Sequence, residues 1–197
     1  MFNVHDLKLP TGQQISLNLA AGEIHCISGD SGIGKSRLLR ALADLDNCDG
    51  QLSLNDENRC DMTACAWRSQ VMLVPARPRW WLATAAEHMA QPMDAAALNI
   101  RLPATPLAGP TERLSTGEST RLALLRALSR EPSVLLLDEP TAALDETTEA
   151  AVEALLQDYV STQPGRCILW VSHSRTQAQR VATVRWQLSS SAMERLP

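Results

Sequence analysis

Gly29-Asp30-Ser31-Gly32-Ile33-Gly34-Lys35-Ser36 is the stretch on which the reading of this 197-residue chain turns. Its eight residues fit the phosphate-loop pattern G-x-x-x-x-G-K-[ST]. Glycines let successive backbone N–H groups turn inward onto an anion, at the positive end of the helix that follows. Lys35 supplies a mobile cation for β- and γ-phosphates, and the Ser36 hydroxyl suits Mg²⁺. A chance match in a chain of this length is expected on the order of 1 time in 100. The flanks agree with the motif. Glu23-Ile24-His25-Cys26-Ile27-Ser28 is a short apolar run that suits a buried strand, and Lys35 to Ala43 carries Leu38, Leu39 and Leu42 at helical spacing. Strand, glycine loop and helix follow one another, so a nucleotide phosphate is the implied ligand.

Working outward, the alternation in Gln14-Ile15-Ser16-Leu17-Asn18-Leu19 predicts a half-exposed antiparallel strand. Val71–Val74, Val134–Leu137 and Cys167–Val171 read as further strands. The last two end in Asp138-Glu139 and Ser172-His173, where a parallel sheet places its active site. From about Pro75 to Ser115, Pro78, Pro92, Pro103, Pro106 and Pro110 punctuate Ala-rich pieces such as Leu82 to Ala90. That composition predicts a small helical lobe and a loop inserted between core strands. Helices are expected again over Glu118–Arg130 and Thr147–Val160. The fold class is α/β: one domain over 1–197, with a core over 1–75 and 125–197 and a helical insertion over about 76–124.

Composition narrows the partners. Apolar residues make up 45% and charged residues 20%, an ordinary globular balance. The net charge of −4, without a basic run, argues against nucleic acid and against direct binding to anionic lipid. No apolar stretch reaches the ~18 residues a membrane span needs, and the N-terminus lacks a secretory signal pattern. Any work at a membrane is therefore expected to go through a partner. Cys26, Cys48, Cys60, Cys65 and Cys167 are scattered, without zinc-site spacing, and are expected as reduced cytosolic thiols.

Val134-Leu135-Leu136-Leu137-Asp138-Glu139-Pro140 is an apolar strand ending in two carboxylates. Beside a phosphate loop, Asp138 can hold Mg²⁺ and Glu139 can polarise the attacking water. Here the chain resembles the ATP-binding cassette (ABC) ATPases. Leu114-Ser115-Thr116-Gly117-Glu118 is similar to their signature, LSGGQ, with Thr for the first Gly and Glu for Gln. Ala143-Leu144-Asp145 is similar to their D-loop, and His173 to their switch histidine. Taken alone, Leu114 to Glu118 reads as a capped helix start and His173 as a solvated strand-end histidine.

The resemblance implies a phosphate-loop NTPase (RecA-like) core with an N-terminal antiparallel β-subdomain and the helical subdomain already expected. It implies ATP as substrate and Mg²⁺ as cofactor. Gly29, Asp30, Ser31, Gly32, Ile33, Gly34, Lys35, Ser36 and Arg37 would hold the nucleotide, with Lys35, Glu139 and His173 catalytic. Ser36 and Asp138 would hold the metal. Ser115 and Gly117 would reach the γ-phosphate of a second copy in a head-to-tail dimer. An integral-membrane permease is the implied partner, with the subunit cytoplasmic and peripheral on the inner face of the membrane. The chain looks somewhat like the small bacterial ATPases of metal- or iron-export and haem-export transporters. A soluble ABC ATPase, or a slow regulatory nucleotide switch, stays open as an alternative.

Two positions depart from the family. The glutamine expected after Val71–Val74 is replaced by Ala76, in Val74-Pro75-Ala76-Arg77-Pro78. An aromatic that stacks on adenine has no match from Asn3 to Leu9, leaving Phe2 as the nearby candidate. Trp80 and Trp81 either pack within the inserted lobe or form an apolar edge that receives a permease helix.

Overall fold

The computed structural model describes residues 1–93, 100–102 and 107–197. Pro103 and Pro106, part of the expected insertion, lie outside the described residues.

Val134–Asp138 has no polar side chain before its last residue, so both faces must be covered. It forms β7 in a six-stranded sheet with the order β10-β9-β3-β8-β7-β6: Met193–Leu196, Val184–Leu188, Ile24–Ser28, Cys167–Val171, Val134–Asp138 and Val71–Val74. All neighbours are parallel except β9 and β10. Along β7 the side chains alternate between two cores. Val134 and Leu136 face the cluster shared with Leu38, Leu39 and Trp67, and Leu135 and Leu137 face the one shared with Leu122, Leu156 and Trp170. Helix α1 (Lys35–Leu42) covers one face together with α2 (Ala64–Gln70). The helices α3 (Thr116–Leu128), α4 (Glu146–Thr162) and α5 (Arg175–Val181) belong to the other.

A second, antiparallel sheet has the order β2-β1-β4-β5, formed by Gln14–Leu19, Phe2–Lys8, Asp49–Leu54 and Glu57–Asn58. In β2, Ile15, Leu17 and Leu19 are buried while their neighbours face solvent, as the alternation predicts. Strand β1 carries a bulge between Val4 and Leu7, where Asp6 adopts φ 52° and its N–H donates to Ser16 Oγ. The α/β class, the phosphate-loop core and the antiparallel subdomain are as expected.

The Ala-rich piece Leu82 to Ala90 is a correction. It forms only a 3₁₀ turn, Ala86–His88, and a second 3₁₀ turn spans Thr111–Arg113. An α-helix would give the Thr84 carbonyl to the His88 N–H. Instead His88 Nδ1 donates to that carbonyl (2.9 Å) and the His88 N–H bonds Ala85 O. His88 Nε2 accepts the N–H groups of Trp81 and Leu82, which fixes the turn from inside. Helix propensity loses to a buried side chain that saturates the backbone. Among the described residues, α-helix in this region begins only at Thr116.

Candidate functional site

The carboxyl ends of β3, β7 and β8 deliver the predicted residues to one place. The phosphate loop follows β3, Asp138 closes β7, and Glu139 and His173 lie just beyond β7 and β8. Two glycines are required for different reasons. A Cβ at Gly29 would sit 2.5 Å from the Leu188 carbonyl oxygen, and Gly34 has φ 112°, which an L-residue avoids. A cleft of about 420 Å³ is lined by Thr11, Ser31, Gly32, Gly34, Lys35, Ser36, Arg37, Glu139 and His173. Asp30 and Ile33 contribute backbone to the loop, through Asp30 O to Lys35 and Ile33 O to Gln13.

Lys35 is buried, and its Nζ donates to the carbonyls of Gly29 (2.7 Å) and Asp30 (2.8 Å). Burial pulls its pKa down, against the opposing charges of Glu139, Asp138 and Asp30. Asp138 is also buried. Burial pushes its carboxyl up, while the Ser36 hydroxyl, Lys35 and the Ala76 N–H act in the other direction. The backbone of Ala76, the residue that replaces the family's glutamine, is thus near enough to act on this carboxylate.

Glu139 has φ 51°, a conformation that costs a non-glycine residue about 1–3 kcal/mol. Its N–H donates to Val171 O (3.0 Å), and its Oε1 lies 2.8 Å from His173 Nε2. The two strand ends are therefore joined by both backbone and side chains.

The raised Asp138 pKa sets a pH dependence. A carboxyl raised in the folded state contributes stability that is fully present below the unfolded value and is lost as pH rises through the folded one. At neutral pH, without ligand, its ionisation therefore costs stability. Asp138→Asn is expected to raise the melting temperature of the free protein at pH 7, with the gain shrinking toward pH 4. The same variant should lose the extra stabilisation that Mg²⁺ adds to ATP. Thermal melts across pH, with and without Mg-ATP, measure both effects, and a lowered melting temperature at pH 7 would contradict the electrostatic account.

Ser115 and Gly117 do not line the cleft. They start α3, where Ser115 and Glu118 form a reciprocal capping box: the Glu118 N–H donates to Ser115 Oγ (3.3 Å) and the Ser115 N–H donates to Glu118 Oε2 (2.9 Å). Gly117 faces the D-loop. A Cβ there would lie 3.3 Å from Ala143 O and 3.3 Å from a Leu144 methyl. Within one chain, then, the signature stands beside Ala143-Leu144-Asp145.

Sequence reasoning missed several residues around the site. Thr11 and Gln13, on the β1–β2 turn, stand against the loop. Gln13 is buried and its Nε2 donates to Ile33 O (3.0 Å) and Ser189 O (3.1 Å). Phe2 is a second correction: it is fully buried, 6.0 Å from the Trp67 ring, and cannot meet a base. Gln70, the last residue of α2, accepts from Ser133 Oγ (2.8 Å) just ahead of β6. The structure separates the two tryptophans. Trp80 donates from Nε1 to Ser119 Oγ (2.8 Å) on α3, while Trp81 is 69% exposed beside Leu82. The Arg126 guanidinium lies 4.6 and 5.2 Å from the two ring centroids. All five cysteines are free, and burial pushes Cys26 and Cys167 up to about 12.

The family described as ABC transporter matches residues 12–142, well over half of the chain. The chain belongs to the ABC transporter family, as one of its ATPases. The aliphatic sulfonates import ATP-binding protein SsuB 2 of Nocardia farcinica is 38% identical over 85% of this chain and 69% of its own length. The probable iron export ATP-binding protein FetA of Escherichia coli is 33% identical over 87% of this chain and 83% of its own length. The rice protein STAR1 (Oryza sativa subsp. japonica) is 32% identical over 85% of this chain, but over 52% of its own length. Among solved structures, a dimeric post-hydrolysis state of the cassette MJ0796 bound to ADP and Pi superposes with a TM-score of 0.81 at 22% identity. The match covers 100% of this chain and 99% of that one. An ATP-binding subunit of an ABC transporter superposes at 0.82 and 23% identity, covering 99% of this chain and 90% of that one. Those two likenesses establish the fold. Among the described residues, no helix is long and apolar enough to cross a membrane.

Proposed function

We propose that this ABC ATPase works as a head-to-tail pair around two Mg-ATP and drives an integral-membrane permease from the cytoplasmic face. The observation that carries the reading is the meeting of Lys35, Ser36, Glu139 and His173 on one cleft, with the buried Asp138 carboxylate close enough to respond to Lys35 and Ser36. Lys35 exchanges its two carbonyl partners for β- and γ-phosphate oxygens when nucleotide enters. Glu139 accepts a proton from the attacking water, whose oxygen bonds to the γ-phosphorus as the bond to the β–γ bridging oxygen breaks and ADP leaves. His173, at hydrogen-bond distance from Glu139 in the free protein, is the polar group that orients that carboxylate or meets the γ-phosphate.

The metal site fits the residues present. Asp138 is a buried carboxylate whose ionisation is opposed by burial, and the Ser36 hydroxyl is near enough to act on it. Ser36 and Asp138 would hold Mg²⁺, which supplies charge compensation to the phosphates.

Ser115 and Gly117, at the start of α3, are the groups that would meet the partner copy's γ-phosphate. The permease would dock where Trp81 and Leu82 stand exposed on the turn that follows the Ala76 loop. SsuB 2 is named for import and FetA for export, so the cargo and direction belong to the membrane partner. Co-purification with a membrane protein tests the assignment; an intact cassette that never recruits one would favour a soluble ATPase.

Ala76 favours a second reading, a slow switch. It offers Asp138 a backbone N–H but no side-chain oxygen. Ala76→Gln is expected to raise basal hydrolysis or lower the Mg²⁺ concentration for half-maximal rate. A Mg²⁺ titration at fixed ATP checks it, and overlapping curves would confine the loop to docking.

A further inference from the structure

Behind the cleft lies a buried polar chain that the reaction described above does not use. Gln177, on the first turn of α5, is 2% exposed, and Ser172, Thr141 and Glu153 around it are 5%, 4% and 4% exposed. Ser172 Oγ donates to Gln177 Oε1 (2.8 Å). Gln177 Nε2 donates to Thr141 Oγ1 (2.8 Å) and to Glu153 Oε1 (2.9 Å). The amide has one orientation. Glu153, when ionised, can only accept, so the NH₂ group must face it and the oxygen must face Ser172. Burial opposes the ionisation of Glu153, but Arg180 and Gln177 outweigh it and hold the carboxyl below the usual range. Arg180 grips Glu153 with two nitrogens at 2.6 Å each and reaches Glu149 at 2.7 Å.

The two ends of this chain sit beside the two residues of the water-activating pair. Ser172 precedes His173 and, through Oγ, also accepts the Ser174 N–H. Thr141 lies two residues past Glu139, and its carbonyl takes the Leu144 N–H in the D-loop turn. A cleft of about 150 Å³ opens onto Glu139, Thr141, Ser172, His173 and Gln177 together. The amide of Gln177 is thus the side chain that ties the Glu139 loop to the His173 loop from beneath.

We infer that Gln177 is a positioning residue for hydrolysis, setting the distance between Glu139 and His173 by tying Thr141 to Ser172. This rests on the reading of Glu139 and His173 as the hydrolytic pair. The phosphate loop is not part of the chain, so turnover and not ATP binding should respond.

Gln177→Leu keeps the volume and removes both ties; Thr141→Val removes one from the other side and guards against a folding failure of the first. Each should lower kcat about tenfold, in line with the cost of a small misplacement, while KM for ATP stays within about twofold. Thr141→Ser should recover the rate lost in Thr141→Val. The double variant should be no slower than the worse single one, because both break the same tie. An unchanged kcat in both single variants would overturn the inference. Effects that multiply in the double variant, or a loss carried by KM, would also overturn it. A Glu139→Gln control separates the two levels. Wild-type turnover there removes the hydrolytic reading and this inference with it. A slow Glu139→Gln beside a fast Gln177→Leu removes this inference alone.

Discussion

Glu139→Gln should bind ATP as the unaltered protein does and hydrolyse it about 10²-fold more slowly or worse, the usual range for a lost general base. The substitution is nearly isosteric. The amide oxygen can still accept from His173 Nε2, now at 2.8 Å from the carboxylate, and the backbone can keep its φ of 51° and its bond to Val171 O. What disappears is the capacity to take a proton from water. With hydrolysis blocked and binding intact, the ATP-closed state of a head-to-tail pair has no exit. A dimer should then accumulate with Mg-ATP and appear by size-exclusion chromatography, while the same variant without nucleotide should run as the unaltered protein does. Wild-type turnover would remove Glu139 as the base. Slow turnover without dimerisation would keep the base and remove the pairing.

How far such residues could be found beforehand depends on the range of the interactions that place them. The phosphate loop, β7 and β8 are local patterns: an apolar run ending in polar residues reads the same in sequence and in space, and Lys35, Asp138, Glu139 and His173 were reached that way. The alternating burial of Gln14–Leu19 belongs to the same class. Gln13 could not be reached, because its partners are 20 and 176 residues away. Gln177 meets Thr141 across 36 residues, and nothing in Arg175-Thr176-Gln177-Ala178 marks it as buried. Leu82 to Ala90 failed for another reason. Alanine-rich composition reports intrinsic propensity, and there a single histidine takes the carbonyl that a helix needs. Phe2 failed because proximity in sequence to the expected aromatic position said nothing about which side of β1 it faces; it points into the core against Trp67. Ser115 and Gly117 were recognised by motif alone. Within one chain they are a capped helix start beside the D-loop, and a role at the γ-phosphate requires a second copy.

Lys35→Ala should abolish measurable nucleotide binding. Its ammonium lies on the carbonyls of Gly29 and Asp30, at 2.7 and 2.8 Å, so it is already aimed along the inner wall of the loop. A triphosphate entering there would replace two neutral acceptors with charged ones. Hydrogen bonds to charged groups are worth about 1.5–3 kcal/mol each, so two give about 3–6 kcal/mol. At a factor of ten for every ~1.4 kcal/mol, affinity should fall by about 10²–10⁴-fold. Two effects push toward the upper end. Asp138 and Glu139 stand close enough to act on Lys35, and once it is gone they repel the incoming phosphates without opposition. The loop also loses the clamp that draws the Gly29 and Asp30 carbonyls inward. Lys35→Met separates these contributions from packing, since it keeps the buried stem and removes only the charge. Titration of both variants with a fluorescent ATP analogue decides the matter: equal losses assign the effect to the charge. Micromolar affinity retained in both would show that Gly29 to Ser36 is not the phosphate site.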